Sequence, residues 1–317
     1  MTFFSVLFAL FAEQYRPVGR DHWIGRVFRQ WVFVIPNYCD TGEPTSAKIS
    51  LFVLLFPPVF LVFLVHLWLI YHYPLFALGW NIVIVYFCMG FRQFSHPFTL
   101  IQEALRERQL DTARQELANW AGPSLVTENM SETEVVRHTL ERAILAVHKH
   151  VFGVFFWFLL PIGPAGVILY RLTILAEEHW RFGSASPALI ALIKNFREVI
   201  DWLPTRLTAT GFTIVGNFEQ AAYAWRFHQK KWVTQSEAIL IGTGGGALGV
   251  QLGEPLPEVD SAEAIRMAEQ GEQPVHEFGM LPLAAHLDAG ASLVWRAVVL
   301  WMILLAMLTI AVWIGPI

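Results

Sequence analysis

Apolar residues in this chain come in long unbroken runs separated by polar stretches, and the first strong run is Ser50 to Tyr71, SLFVLLFPPVFLVFLVHLWLIY. It carries no acidic or basic residue apart from a histidine. At 1.5 Å of rise per residue it is long enough to cross the roughly 30 Å hydrocarbon layer of a bilayer. Pro57 and Pro58 lie inside it and predict a kink, because each removes a backbone donor. A second run, Pro74 to Phe91, follows after His72-Tyr73 alone, so the two should form an antiparallel hairpin.

From Arg92 to His150 the pattern changes to polar residues with apolar positions at helical spacing. Ile101, Leu105, Leu110, Ala113 and Leu117 approximate one stripe of an amphipathic helix. Gly122-Pro123 should end that helix, and Ser131 with Glu134 has the spacing of a capping box that starts the next. Val151 to Ala176 is a third strong run, interrupted at Pro161-Ile162-Gly163-Pro164, so that either one kinked helix or two half-helices occupy it. Leu203 to Trp225 is weaker, with the character of a short span, a re-entrant element or a packing helix. Residues 254–278 are acidic and turn-rich, and Ser292 to Ile314 is the last strong run. The pattern predicts an all-α polytopic membrane protein with four to five spans and a cytoplasmic amphipathic helical hairpin. Its parts are an N-terminal segment at 1–49, a transmembrane hairpin at 50–91, the polar hairpin at 92–150 and a second membrane region at 151–317.

Composition agrees: 55% of the 317 residues are hydrophobic and 15% charged, against about a quarter charged in ordinary soluble domains. The mean hydropathy is +0.46. A net charge of −4 gives no footprint for nucleic acid. Cys39 and Cys88 stand alone with no CxxC spacing, which leaves no basis for a structural zinc or a redox pair. Residues 1–11 are apolar but lack a basic lead and a small-residue cleavage site, so a removed signal peptide is not expected. Arginines and lysines gather before the first run (Arg16, Arg20, Arg26, Arg29, Lys48) and after the second (Arg92, Arg106, Arg108, Arg114), and the turn between has none. The positive-inside rule then puts the N-terminal segment and the 92–150 hairpin in the cytoplasm. A bacterial inner membrane is the expected location and the lipid bilayer the first partner.

Ionisable groups within membrane segments mark candidate sites, because each is costly unless paired or hydrated. Arg171 stands in the third run with Glu177 and Glu178 after it, and seven residues of helix put Arg171 and Glu178 on one face. Asp201-Trp202-Leu203-Pro204-Thr205-Arg206 reads as a helix start at which Arg206 pairs with Asp201 or with an anion. The glycine-rich string from Gly242 to Gly249 has neither the Gly-Lys-Ser/Thr of a P-loop nor a GxGxxG after a strand, so close helix packing is its expected use. The candidate ligand-binding set is therefore Arg171, Glu177, Glu178, Asp201, Arg206, Gly244, Gly245 and Gly246, with no catalytic residue and no metal site assigned. His148 and His150 should point to different faces, and Glu141 is the better-spaced partner for His148.

Several of these strings, in order, resemble the CobD/CbiB family and within it the AmpE-like branch. They are Met1-Thr2-Phe3-Phe4, Asp21-His22-Trp23, Phe156-Trp157, Gly163-Pro164, Tyr170-Arg171, the 201–209 string, Gly246 to Val250 and Leu252-Gly253. The resemblance implies two things. The core family forms adenosylcobinamide phosphate by ATP-dependent amide formation on a corrinoid acid. The AmpE-like branch is regulatory, an inner-membrane partner of an AmpD-like amidase. This chain departs from the core pattern, with Leu145-Ala146 in place of Glu-Asn, Lys149-His150 in place of Asp-Gly, Ile174 and Glu177 in place of an Asn and an Asp, and Gly122-Pro123-Ser124 in place of Arg-Asp-Thr. An ATP–Mg²⁺ ligase needs carboxylates, so these departures predict a regulatory protein that binds a small anion and signals to a cytoplasmic partner, with a homo-oligomer also open. The alternatives are a working synthase using ATP and Mg²⁺, and a scaffold without a ligand. Whichever holds, the protein should stay in the membrane pellet through a high-salt wash and be released by detergent. Recovery in plain buffer would show the apolar runs to be buried in a soluble core.

Overall fold

The structure is a computed structural model that describes residues 2–15, 23–122, 125–183, 185–228, 235–253 and 279–315. Arg16, Arg20, Asp21-His22, Pro123-Ser124 and the acidic stretch 254–278, all used above, lie outside the described residues. The described residues are helical, with no strand among them beyond a single bridge between Val250 and Met280. In chain order the helices are α1 (Thr2–Tyr15), α2 (Trp23–Cys39), α3 (Pro44–His72), α4 (Pro74–Cys88), α5 (Phe91–Arg106), α6 (Leu110–Ala121) and α7 (Glu132–Val147). A π-helical segment (His148–Phe152) leads into α8 (Gly153–Leu159). The rest are α9 (Pro164–Trp180), α10 (Pro187–Val215), α11 (Phe218–His228), α12 (Gln235–Leu248) and α13 (Ala285–Ile314).

Among the described residues, four stretches are long and apolar enough to cross a membrane: Pro44–His72, Pro74–Arg106, Glu132–Leu159 and Ala285–Ala311. The first and last turn mostly outward, showing large side chains such as Phe52, Phe56, Leu61, Leu304 and Met307, as helices solvated by lipid do. These stretches differ from the runs read in the sequence. The third such stretch is Glu132–Leu159, where the run read in the sequence was Val151–Ala176, because Leu160 turns extended and Gly163 takes φ +53°, which separates α8 from α9. Of the one kinked helix or two half-helices left open at this Pro/Gly break, two half-helices form. The α9 half is mostly buried inside protein.

The chain divides into two compact units. The first comprises residues 1–93, 147–204 and 302–317. Its centre is α9, which packs against α2, α3, α4 and α8, while α1 packs on α4 and α8. α3 runs unbroken through Pro57 and Pro58, and Tyr73 alone links it to α4, against which it packs. Two indoles tie α2 into this unit: Trp31 donates to the Leu54 carbonyl at 3.1 Å and Trp180 to the Val32 carbonyl at 2.8 Å. The Asp40 carboxylate accepts from the Ser186 N–H at 2.7 Å and the Ser186 hydroxyl at 2.9 Å, which fixes the start of α10. Pro204 lies inside α10, so Asp201 is mid-helix and not the helix N-terminus read from the sequence.

The second unit comprises residues 94–146 and 205–301. The apolar stripe expected on one helix is shared by α5 and α6, which are parted at Glu107–Gln109, where Arg108 takes φ +59°. Ile101, Leu105, Ala113 and Leu117 are all buried. The capping box forms as spaced: the Ser131 N–H donates to Glu134 at 2.6 Å, and the Glu134 N–H to the Ser131 hydroxyl at 3.3 Å. The glycine-rich string lies within α12, which packs on α11. A Cβ on Gly246 would come 2.5 Å from the Gln220 carbonyl oxygen, and one on Gly245 2.8 Å from the Val250 oxygen. A Cβ on Gly244 would come 2.5 Å from the Ile144 side chain. These glycines let backbones touch. Gly246→Ala should therefore destabilise the detergent-solubilised protein by about 1–3 kcal/mol, read as a lower melting temperature, because the obstacle is backbone and cannot swing aside. An unchanged melting temperature would mean that α11 and α12 are not in contact.

Candidate functional site

Three elements of the first unit bring charged side chains into its interior. α10 carries Arg197 and Asp201 one turn apart, α9 carries Tyr170 and Glu177 two turns apart, and the π-helical segment carries His148. Asp201 and His148 are each 1% exposed, and the His148 Nε2 lies 2.9 Å from Asp201 Oδ1. The Tyr170 hydroxyl donates to the same oxygen at 3.1 Å. The second carboxylate oxygen faces Arg197 Nη2 at 3.6 Å and makes no hydrogen bond. Arg197 donates from Nη1 to Glu177 at 2.6 Å, and Glu177 also accepts from Arg181, whose guanidinium is more than half exposed, at 3.1 Å. A continuous series of paired groups thus runs from an exposed arginine to a fully buried histidine.

The physical logic is compensation. Moving one carboxylate into a low-dielectric interior costs several kcal/mol, which is regained only with close partners and hydrogen bonds. Burial opposes the charge on Asp201, but His148, Arg197 and the Tyr170 hydroxyl outweigh it and hold its carboxyl at about 2. The π-helical turn matters because an extra residue in a helical turn re-aims the side chains around it, and such turns recur at functional sites. Here His148 turns to Asp201, while His150, two residues on, meets Arg171 Nη1 at 3.1 Å. Gly153 lies where any Cβ would strike the Tyr170 ring, so the glycine lets α9 approach the start of α8.

The structure distributes the residues read from the sequence as follows. Glu177 and Asp201 share this network through Arg197. Arg171 is next to it in sequence but is held by His150. Glu178 is exposed, so the buried acid of the pair is Glu177 and the face shared with Arg171 leads outward. Asp201 is held by His148, Tyr170 and Arg197, where a pairing with Arg206 was read, since five residues of helix turn two side chains well away from each other. Arg206 and Gly244, Gly245 and Gly246 belong to the second unit. Glu141, better spaced than His150 as a companion of His148, instead sits 3.2 Å from His138 and accepts from the Gly253 N–H at 2.8 Å. Sequence reasoning missed Arg197, Tyr170 and His148. The i,i+4 spacings Glu177–Arg181 and Arg197–Asp201 were available as signals, but nothing local pairs residue 148 with residue 201.

No three His, Cys, Asp or Glu side chains among the described residues lie together as a metal ion would need. The carboxylate oxygens of Glu177 are taken by two arginines, and those of Asp201 face His148, Tyr170 and Arg197. These residues do not fit the magnesium ion that the resemblance implies.

The position of the Asp201 carboxyl has a consequence for acid stability. A group that ionises more readily when folded adds its full contribution above its unfolded value of 3.8 and loses it as the pH falls toward 2. Between pH 5 and pH 3 the wild type should lose more melting temperature than Asp201→Asn, because about 1 kcal/mol of a total contribution of about 2 kcal/mol is lost over that window. Parallel curves for the two proteins would show that Asp201 is not ionised in the fold.

Comparison with known proteins places the chain. It is 28% identical over 248 residues to a protein of Stutzerimonas stutzeri (strain A1501) named cobalamin biosynthesis protein CobD, covering 75% of each chain. It is 29% identical over 194 residues to a protein of the same name from Chromobacterium violaceum, covering 59% of each. No solved structure matches. Both relatives are named for cobalamin biosynthesis, and this overturns the expectation of an AmpE-like regulator that binds an anion and signals to a cytoplasmic partner. That reading rested on the departures from the acidic pattern, and the pairings around Asp201 were not visible in the sequence. The profile of the family described as CobD/Cbib protein matches residues 6–276, and the chain belongs to that family.

Proposed function

We propose that this protein works in cobalamin biosynthesis as a membrane-embedded amide-forming enzyme, joining an amine to a corrinoid acid with ATP as the activating co-substrate. Family membership and the names of the two relatives support the pathway. The observation that carries an enzymatic role is the His148–Asp201 pair, fully buried, braced by Tyr170 and Arg197 on a π-helical turn. Clusters of buried ionisable groups with shifted proton affinity concentrate at functional sites.

Amide formation makes a C–N bond from the amine nitrogen to the activated carboxyl carbon, and the amine gives up a proton as the leaving group departs. His148 is the group that takes this proton. Asp201 holds the imidazole in one orientation and stabilises the imidazolium that forms, as a buried carboxylate does for a catalytic histidine. Arg197 and Glu177 keep Asp201 in place. Amide formation by a membrane protein also suits a large substrate with both apolar and polar faces, which can approach along the interface.

The test uses purified protein in detergent supplied with a corrinoid acid, an amine and ATP, with the corrinoid product followed by chromatography and mass. Wild type should form the amide. Asp201→Asn should lower the rate about 10³–10⁴-fold, the range seen when a histidine loses its orienting carboxylate or its proton-accepting role. His148→Gln should do the same, with both variants melting as folded helical proteins. Absence of amide with wild type, or full activity in both variants, would overturn the reading.

A further inference from the structure

A second polar cluster in the first unit, outside the His148–Asp201 network, lies where the second span is broken. α4 ends at Cys88, Met89 is extended, and α5 starts at Phe91, so the interruption falls inside the 74–106 span. A broken helix in a membrane exposes N–H groups that must find an acceptor, and such breaks are where membrane proteins hold anions. The acceptor here is Glu13 of α1. Its Oε1 takes the Arg92 N–H at 3.4 Å, and the carboxyl is also bonded by the Phe91 N–H. The residue is 4% exposed, and its Oε2 has no hydrogen-bond partner. Arg171 is close enough to act on Glu13 electrostatically, and its guanidinium is aligned through Nη1 by His150. Gly90 leaves the room for that ring, since a Cβ there would come 2.9 Å from His150 Nδ1.

Glu13 is a poor occupant of this place. One oxygen takes the two N–H groups, the Arg92 bond being long, and the other has no partner, and a half-satisfied buried carboxyl is costly to keep. A phosphate group has more acceptor oxygens and would take the Phe91 and Arg92 N–H groups together with the planar fork of Arg171, the side chain best matched to it. We propose that the break between α4 and α5 is a binding site for a phosphate group, from a phospholipid headgroup or from free phosphate, and that Glu13 occupies it as an internal competitor in the unliganded protein. The site is independent of the amide-forming reading and is read by binding alone.

The experiment uses the full-length protein in a maltoside detergent, which carries no phosphate, at pH 8, with melting temperature as the readout. Two additives are titrated separately: inorganic phosphate and a short-chain phosphatidylglycerol. At least one should raise the melting temperature of the wild type in a saturable way, and whichever acts at the lower concentration identifies the source. Glu13→Gln should respond at about tenfold lower concentration, because the competing charge is gone. Arg171→Lys should keep its fold and respond several-fold more weakly, and Arg171→Met should not respond. A wild type and a Glu13→Gln variant that both ignore phosphate and lipid would overturn the proposal, as would Arg171 variants that respond like the wild type.

Discussion

A carboxylate buried inside protein must be met by the groups around it, and the first unit is arranged around one such group, Asp201. Its charge is met by His148, Tyr170 and Arg197, and Arg197 in turn needs Glu177, which needs Arg181 at the edge. Each partner is held in place because the next one would otherwise be left unpaired. The packing of α9 at the centre of this unit follows from the same demand, since α9 supplies Tyr170 and Glu177 while its apolar faces fill the space between α2, α3, α4 and α8. Replacing either member of such a pair singly leaves an uncompensated charge, so the network resists piecemeal change more than an apolar core would.

The membrane class, the α3–α4 hairpin and the Ser131–Glu134 cap were legible because each depends on residues close in sequence. Runs of apolar residues set the helices, one residue sets the turn, and a three-residue spacing sets the cap. The extent of the third crossing was not legible. Its first half is polar enough to read as a surface helix, although Val135, Val136, Arg137, Thr139 and Leu140 within it are buried. The candidate site was legible in part. Glu177 and Asp201 stood out as acids in apolar surroundings. Their companions His148 and Tyr170 reach Asp201 from other elements, and such contacts leave no trace in local spacing.

The misreading of Asp201 as a helix start has a clear cause. Proline three residues on, at position 204, suggests a first turn, yet α10 accepts it in mid-helix. The start of α10 lies instead at Ser186, where Asp40 fastens it through two hydrogen bonds from a distant part of the chain. A local rule about proline was outweighed by a tertiary contact.

The π-helical turn at His148–Phe152 has a bearing on how this chain can tolerate change in length. One residue more or fewer in a helix swings everything beyond it by about 100°. Loss of a single residue there, restoring ordinary winding, would carry His148 and His150 out of phase with α8, so that the imidazole beneath Asp201 and the one beside Arg171 could not both be reached while Gly153 still faced Tyr170. The extra residue acts as a phase-setter between two helical segments, so the length of this turn is held by the same contacts that place His148 and His150.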